Sequence, residues 1–276
     1  MDSQTEANKF ERQNTPSVKF ELPDTEYEAG MFFYFCFKKD GLLDWSERVY
    51  AAHPKLKEMT VGVVDGKEFL DMCKEYVSAC LKEQDVSLQN AKEHFQLAWD
   101  KIAETFLREI IGDFETQHPE NIDDIVANVS INPICPRHIK DWSYSLFYKF
   151  SAEQVCKTSI HEIIHFFYFK KWLEVFPGYD TRTFENPHSE WILSEILVVV
   201  IMNQNKKIQE ILKGGQSDVY KEFQHIKIGD KSLVDFFGEI YRKHTDSQMS
   251  FEDFLKKSWE EYNKHRGEIE VKKNIK

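Results

Sequence analysis

Along much of the chain the apolar residues recur every three or four positions, the spacing that lines one face of an α-helix. In SLQNAKEHFQLAWDKIAETFLREIIGDF the stripe is Phe95, Trp99, Ile102, Phe106 and Ile110, and Ser87 stands where a first turn wants a cap. LLDWSERVYAA, ending before Pro54, and KEFLDMCKEYVSACLKE, following Gly66, predict two more helices. Further helical patterns run over 206–213, 216–224, 232–245 and 250–265, the last with Ser250 and Asp253 as a cap pair. MFFYFCF, 31–37, is so dense in aromatics that it fits either a buried strand or the start of a helix.

Two stretches change period. ANVSIN, 127–132, alternates apolar and polar residues as a half-buried strand does, and Pro133 and Pro136 stop it. WSYSLFYKF, 142–150, predicts a second strand or hairpin partner. Residues 1–28 lack an apolar period and predict a flexible arm with one short extended piece, SVKFEL. The pattern as a whole predicts a mostly α (α+β) chain: an arm at 1–28, then a single helical domain over 29–276 with a small sheet.

Composition narrows the function classes. The chain has 276 residues, enough for a well-developed core, and its formal net charge is −11. That sign argues against nucleic acid or an anionic membrane as a general partner. ILSEILVVVIM is the longest apolar run, too short to span a bilayer and interrupted by Glu195. MDSQTEANKFERQ lacks the basic-then-apolar pattern of a secretory leader. The 5 cysteines are scattered and odd in number, so the expectation is a reducing, cytoplasmic setting.

One segment carries chemistry. SAEQVCKTSIHEIIHFFYFKKWLEVFP places Ser151 and Gln154 as a capping box, and Pro177-Gly178 ends the helix they open. Inside it, HEIIH puts His161 and His165 one turn apart on one face, where both imidazoles reach a single ion. Glu162 lies about 100° round the helix, within reach of a water on that ion. Ile160, Ile163, Ile164, Phe166 and Phe167 surround these polar groups, which are costly there unless hydrogen-bonded or bound to metal. YDTRTFENP then leads to Pro187, a good first-turn residue for the next helix, which runs to about Asn203. A third ligand is needed. Glu190, at the polar start of that helix, is explained by the helix dipole. Glu195, in WILSEILVVVIM, has apolar residues on nearly every side and is the better candidate. His188 and Asp180 in the intervening loop are weaker ones. The competing expectations are core histidines satisfied within the fold, and for Glu195 an ion pair with a lysine at 170, 171, 206 or 207.

HEIIH on one helix with a glutamate on a following helix resembles the gluzincin branch of the zincin metallopeptidases. The resemblance covers about 150–203, with the strand at 127–132 similar in placement to the edge strand that pairs with substrate in that fold. It implies a zincin-like fold with a metal-site core at about 125–203. One Zn2+ would be held by His161, His165 and Glu195, with Glu162 as general base and a peptide or protein as substrate. It also implies a downstream Tyr or His that stabilises an oxyanion, for which Tyr220, His225, Tyr241 and His244 are all candidates. Cys135 and His138, in CPRH, raise the peptide deformylases, whose Gly-rich and Gln-containing segments are absent here. The alternative of a different class is a non-catalytic helical interaction protein with a structural metal, or none, at HEIIH.

Overall fold

The computed structural model describes residues 16–38 and 43–270. In chain order the elements are β1 (Ser17–Glu21), α1 (Thr25–Phe33), a π-helical turn (Tyr34–Lys38), α2 (Ser46–Ala52), α3 (Pro54–Thr60), α4 (Gly66–Asp100), α5 (Ala103–Asp113), β2 (Asp124–Ser130), β3 (Arg137–His138), β4 (Ser143–Phe147), α6 (Ala152–Val175), a 3-10 turn (Thr181–Phe184), α7 (Ser189–Gln204), α8 (Lys206–Ile211), β5 (Lys227–Ile228), β6 (Lys231–Ser232), α9 (Leu233–Thr245), α10 (Phe251–Lys264) and α11 (Arg266–Ile269). The chain is mostly α with a small mixed sheet. It packs as two compact units.

The first unit comprises Ser17–Lys101 and Ile122–Ser159. Its sheet has the order β1-β2-β4-β3, with the first three strands parallel and β3 antiparallel to β4. Val18 and Phe20 of β1 are buried while their neighbours face out, the alternation of a half-buried strand. Gln96 of α4 closes the open edge of β1: its amide accepts from Phe20 N–H and donates to the Val18 carbonyl, both at 3.1 Å. The expected flexible arm is therefore structured from Ser17 onward; residues 1–15 lie outside the described residues. Asp24 caps α1 by accepting from Tyr27 N–H at 2.7 Å. MFFYFCF continues this helix into the π-helical turn and is not a strand.

ANVSIN forms most of β2, but as an interior strand, hydrogen-bonded to β1 on one side and β4 on the other. Its backbone is spent on the sheet, so the expectation of an edge strand able to pair with substrate is corrected. The helix expected at 67–83 and the first half of the one expected at 87–114 are one 35-residue helix, α4, and a turn at Lys101-Ile102 sets off the second half as α5. Asp85-Val86-Ser87 holds no Gly or Pro, so its weak propensity does not stop propagation, and Ser87 is exposed mid-helix rather than a cap.

The second unit gathers Ile102–Asn121 with the chain from Ile160 onward. At its centre α7 is buried all round from Trp191 to Met202, as an element enclosed by others must be. It packs against α9, an amphipathic helix that buries Leu233, Phe237 and Tyr241. Ser232 and Ser250 cap α9 and α10, each accepting from the N–H three residues on. The helical pattern at 216–224 is instead irregular chain. There the Asn203 amide bonds the Ser217 carbonyl and N–H, both at 2.8 Å, and so takes a carbonyl that a helix would use. Pro187 precedes the His188 N-cap of α7 rather than entering the first turn.

Candidate metal centre

The capping box opens the helix that carries HEIIH. Ser151 N–H donates to Gln154 Oε1 at 2.9 Å, and Gln154 N–H donates to Ser151 Oγ at 3.3 Å. From Ile160 onward α6 is enclosed: Ile160, Ile163, Ile164, Phe166, Phe167, Tyr168, Phe169 and Trp172 are fully buried. Into this apolar stretch the four-residue spacing delivers two imidazoles on one face. The face is matched by α7, where Glu195 stands among Leu193, Ile196, Leu197 and Val198, all fully buried.

The three side chains meet. The two Nε2 atoms are 3.1 Å apart. Glu195 lies across the pair, with Oε2 at 3.4 Å from His161 Nε2 and Oε1 at 3.5 Å from His165 Nε2. His165 and Glu195 are 0% and 2% exposed, while the His161 side chain keeps 23% of its surface open. His161, His165 and Glu195 together could hold a metal ion.

The donor set and its spacing fit one. A tetrahedral shell at about 2.0–2.1 Å from zinc has edges of roughly 3.3–3.4 Å, the size of the separations measured here. The two imidazole–carboxylate distances, 3.4 and 3.5 Å, are long for charge-assisted hydrogen bonds. One ligand atom from each of the three lies within 4.8 Å of the others, an arrangement that could hold a shared cation.

Around the cluster, aromatic rings fix His165. Phe169 stacks on it with ring centroids 6.0 Å apart, and Phe184 of the 3-10 turn stacks on Phe169 at 4.2 Å. The loop after α6 thus supplies a wall. Glu162, on the same turn as His161, is 6% exposed. Three of the four lysines that might have paired with Glu195 bind elsewhere: Lys170 donates to Thr116 at 3.0 Å, Lys171 to the Glu115 carbonyl at 3.0 Å and Lys207 to Glu210 at 2.8 Å, while Lys206 is exposed.

The weaker ligand candidates fall outside the cluster. Asp180 caps the 3-10 turn and binds Arg182, whose guanidinium and N–H hold its carboxyl down at about 2. His188 is exposed at the N-cap of α7, and Glu190 occupies the first turn of that helix, where its charge acts on the buried Tyr168. Among the downstream candidates, Tyr241 donates to Asp113 at 2.7 Å, and His244 lies between Asp113 and the Met249 carbonyl. His225 is exposed. Tyr220 stacks on Trp191, with centroids 5.9 Å apart, and Trp191 precedes Glu195 by one turn on α7. In the first unit, His138 bonds the Tyr27 hydroxyl at 2.9 Å, so CPRH serves a local network there. All five cysteines are thiols.

No protein-family model, curated protein or solved structure matches the chain. The likeness to gluzincins rests on the His161, His165 and Glu195 cluster alone. Among the described residues no helix is long and apolar enough to cross a membrane.

Proposed function

We propose that the chain is a single-zinc hydrolase that cleaves peptide bonds, with His161, His165 and Glu195 as the protein ligands. One observation carries this reading: two imidazole nitrogens and a buried carboxylate, drawn from two apolar helices, converge with the spacing of a metal shell. An N2O set suits zinc, and three protein ligands are what a catalytic zinc takes when a fourth position is kept for water or substrate. When bound, the ion supplies Lewis acidity, which polarises a carbonyl and acidifies water.

The chain's own groups do the rest. Phe169 holds the His165 ring in one orientation, so its Nε2 needs no reordering to bind. Burial of His165 and Glu195 keeps bulk water from competing at their ligand atoms. The partly open His161 marks the side from which a substrate reaches the site. Glu162 is the base: its carboxylate takes the proton of the attacking water and returns it to the leaving amine. Main-chain pairing of substrate with β2 is not part of this reading.

A second reading is a structural metal in a non-catalytic helical protein. The near-complete enclosure of His165 and Glu195 favours it. Zinc quantification on the full chain, with Glu162→Gln beside it, separates the two. For the hydrolase the variant retains one zinc per chain and loses cleavage of a mixed peptide library. Equal zinc with no cleavage by either protein supports the structural metal, and absence of zinc from both removes both readings.

A further inference from the structure

Glu28 is the last residue of the segment whose composition looks like an arm, yet it is fully buried. It lies on the inner face of α1 with Ala29 and Phe32, which are fully buried too. Neither carboxyl oxygen has a hydrogen-bond partner among the described residues. The polar groups that face it come from the end of β2, the Ser130 side chain and the Ile131 N–H. Ser130 Oγ already accepts from Asn132 N–H at 2.8 Å.

Among the described residues no cation acts on Glu28; the charge of Lys149 acts on its neighbour His53 instead. The nearby titratable groups, tied to the same backbone, are His53 and Tyr76. His53 Nε2 bonds the Ile131 carbonyl at 2.9 Å, and its Nδ1 bonds the Tyr76 hydroxyl at 2.9 Å. Phe32 sets its ring edge against His53. With one nitrogen donating to a carbonyl and the other taking the phenol proton, His53 is neutral, and burial lowers its pKa further. Tyr27, beside Glu28 in sequence, is also neutral near pH 7, because burial pushes its phenol up to about 12. A carboxylate in this place would be a buried charge with no counter-charge, one of the costlier arrangements in a protein.

We propose that Glu28 is a pH-sensitive latch of the first unit: as a neutral acid it seats α1 against the end of β2, and on ionising it loosens that helix. Burial dominates the balance and raises its carboxyl to about 7, above any help that Ser130 and Ile131 give the charged form. The sign follows. An acid whose pKa is higher folded than unfolded loses stability as pH rises from the unfolded value to the folded one, and the loss is complete above it. Neutral pH falls near the end of that window.

The test is hydrogen exchange of the α1 amides in the full chain, corrected for intrinsic rates, for wild type and Glu28→Gln at pH 6 and pH 8. The shift from 4.5 to about 7 makes the wild-type opening constant rise about tenfold relative to the variant between those two pH values. A ratio that stays constant with pH overturns the proposal. A 13C titration of the Glu28 carboxyl in the wild-type protein gives an answer that needs no variant. A midpoint near neutrality supports the latch, and one at the ordinary glutamate value overturns it.

Discussion

Replacing Asp113 by Asn tests the charge on His244. Both ring nitrogens face acceptors: Nδ1 is 3.1 Å from the Met249 carbonyl and Nε2 is 3.1 Å from Asp113 Oδ1. A neutral imidazole donates from one nitrogen only, so the arrangement demands the imidazolium. Burial opposes that charge, but the hydrogen bond and charge of Asp113, with smaller help from Met249 and Glu115, outweigh it and raise the pKa above 6.5. The fold therefore holds this proton more tightly than the unfolded chain does. Its stabilisation is fully present below the unfolded value and is lost as pH rises through the raised folded one. Both side chains are only 10% exposed, so solvent screens the pair little. A hydrogen bond to a charged group contributes roughly 1.5–3 kcal/mol. Asp113→Asn turns one such bond into a neutral contact and weakens the bond from Tyr241, a loss of about 2–3 kcal/mol at pH 6. At pH 9 the difference is smaller, because the stabilisation is lost as pH rises through the raised folded value. Urea unfolding at the two pH values measures it, with hydrogen exchange in α9 to locate the loss. Equal losses at both pH values refute the imidazolium, and a larger loss at pH 9 reverses the assigned sign.

Two other outcomes are expected. Glu195→Ala weakens zinc binding by on the order of a hundredfold, the share of one ligand in a protein zinc site, and Glu190→Ala leaves it unchanged; competition against a chromophoric chelator reads both, and the reverse order would reassign the third ligand. Ser151→Ala removes the hydroxyl that accepts from Gln154 N–H and costs about 1 kcal/mol in thermal or urea unfolding; an unchanged midpoint would show that the capping box contributes nothing in this context.

Why the cluster of His161, His165 and Glu195 is legible in one dimension is a matter of distance along the chain. His161 and His165 belong to one turn-to-turn step, and helical geometry alone brings them together. Glu195 is visible because a carboxylate inside WILSEILVVVIM violates the burial rule so plainly that it needs a partner. The features that escape are set by remote pairing. Ser17 lies opposite Asp124 in the sheet, and nothing in SVKFEL announces a strand that parallels one more than 100 residues away. For the same reason ANVSIN is recognisable as a strand while its interior position is not. Asp113 and His244 read as ordinary helix-end charges until α5 and α9 bring them together. Glu28 looks exposed because Glu-rich TEYEAG lacks an apolar stripe, and only α1's packing shows which side faces inward. At 216–224 the apolar period is real, but there the Asn203 amide bonds the Ser217 carbonyl and N–H.

The order in which the two units share the chain has a consequence for biosynthesis. Strand β1 of the first unit is separated from its partners β2 and β4 by a stretch, Ile102–Asn121, that belongs to the second. A ribosome must therefore deliver Phe147 before the first sheet can close, and α5 emerges well before α8 and α9 exist to pack against it. Its stripe of Phe106, Leu107 and Ile110, buried in the finished protein, stays bare through that interval. Neither unit can be excised as one contiguous fragment. A nascent chain arrested near residue 150 exposes a surface suited to a chaperone, whereas a segmented protein with each unit encoded in one piece would not.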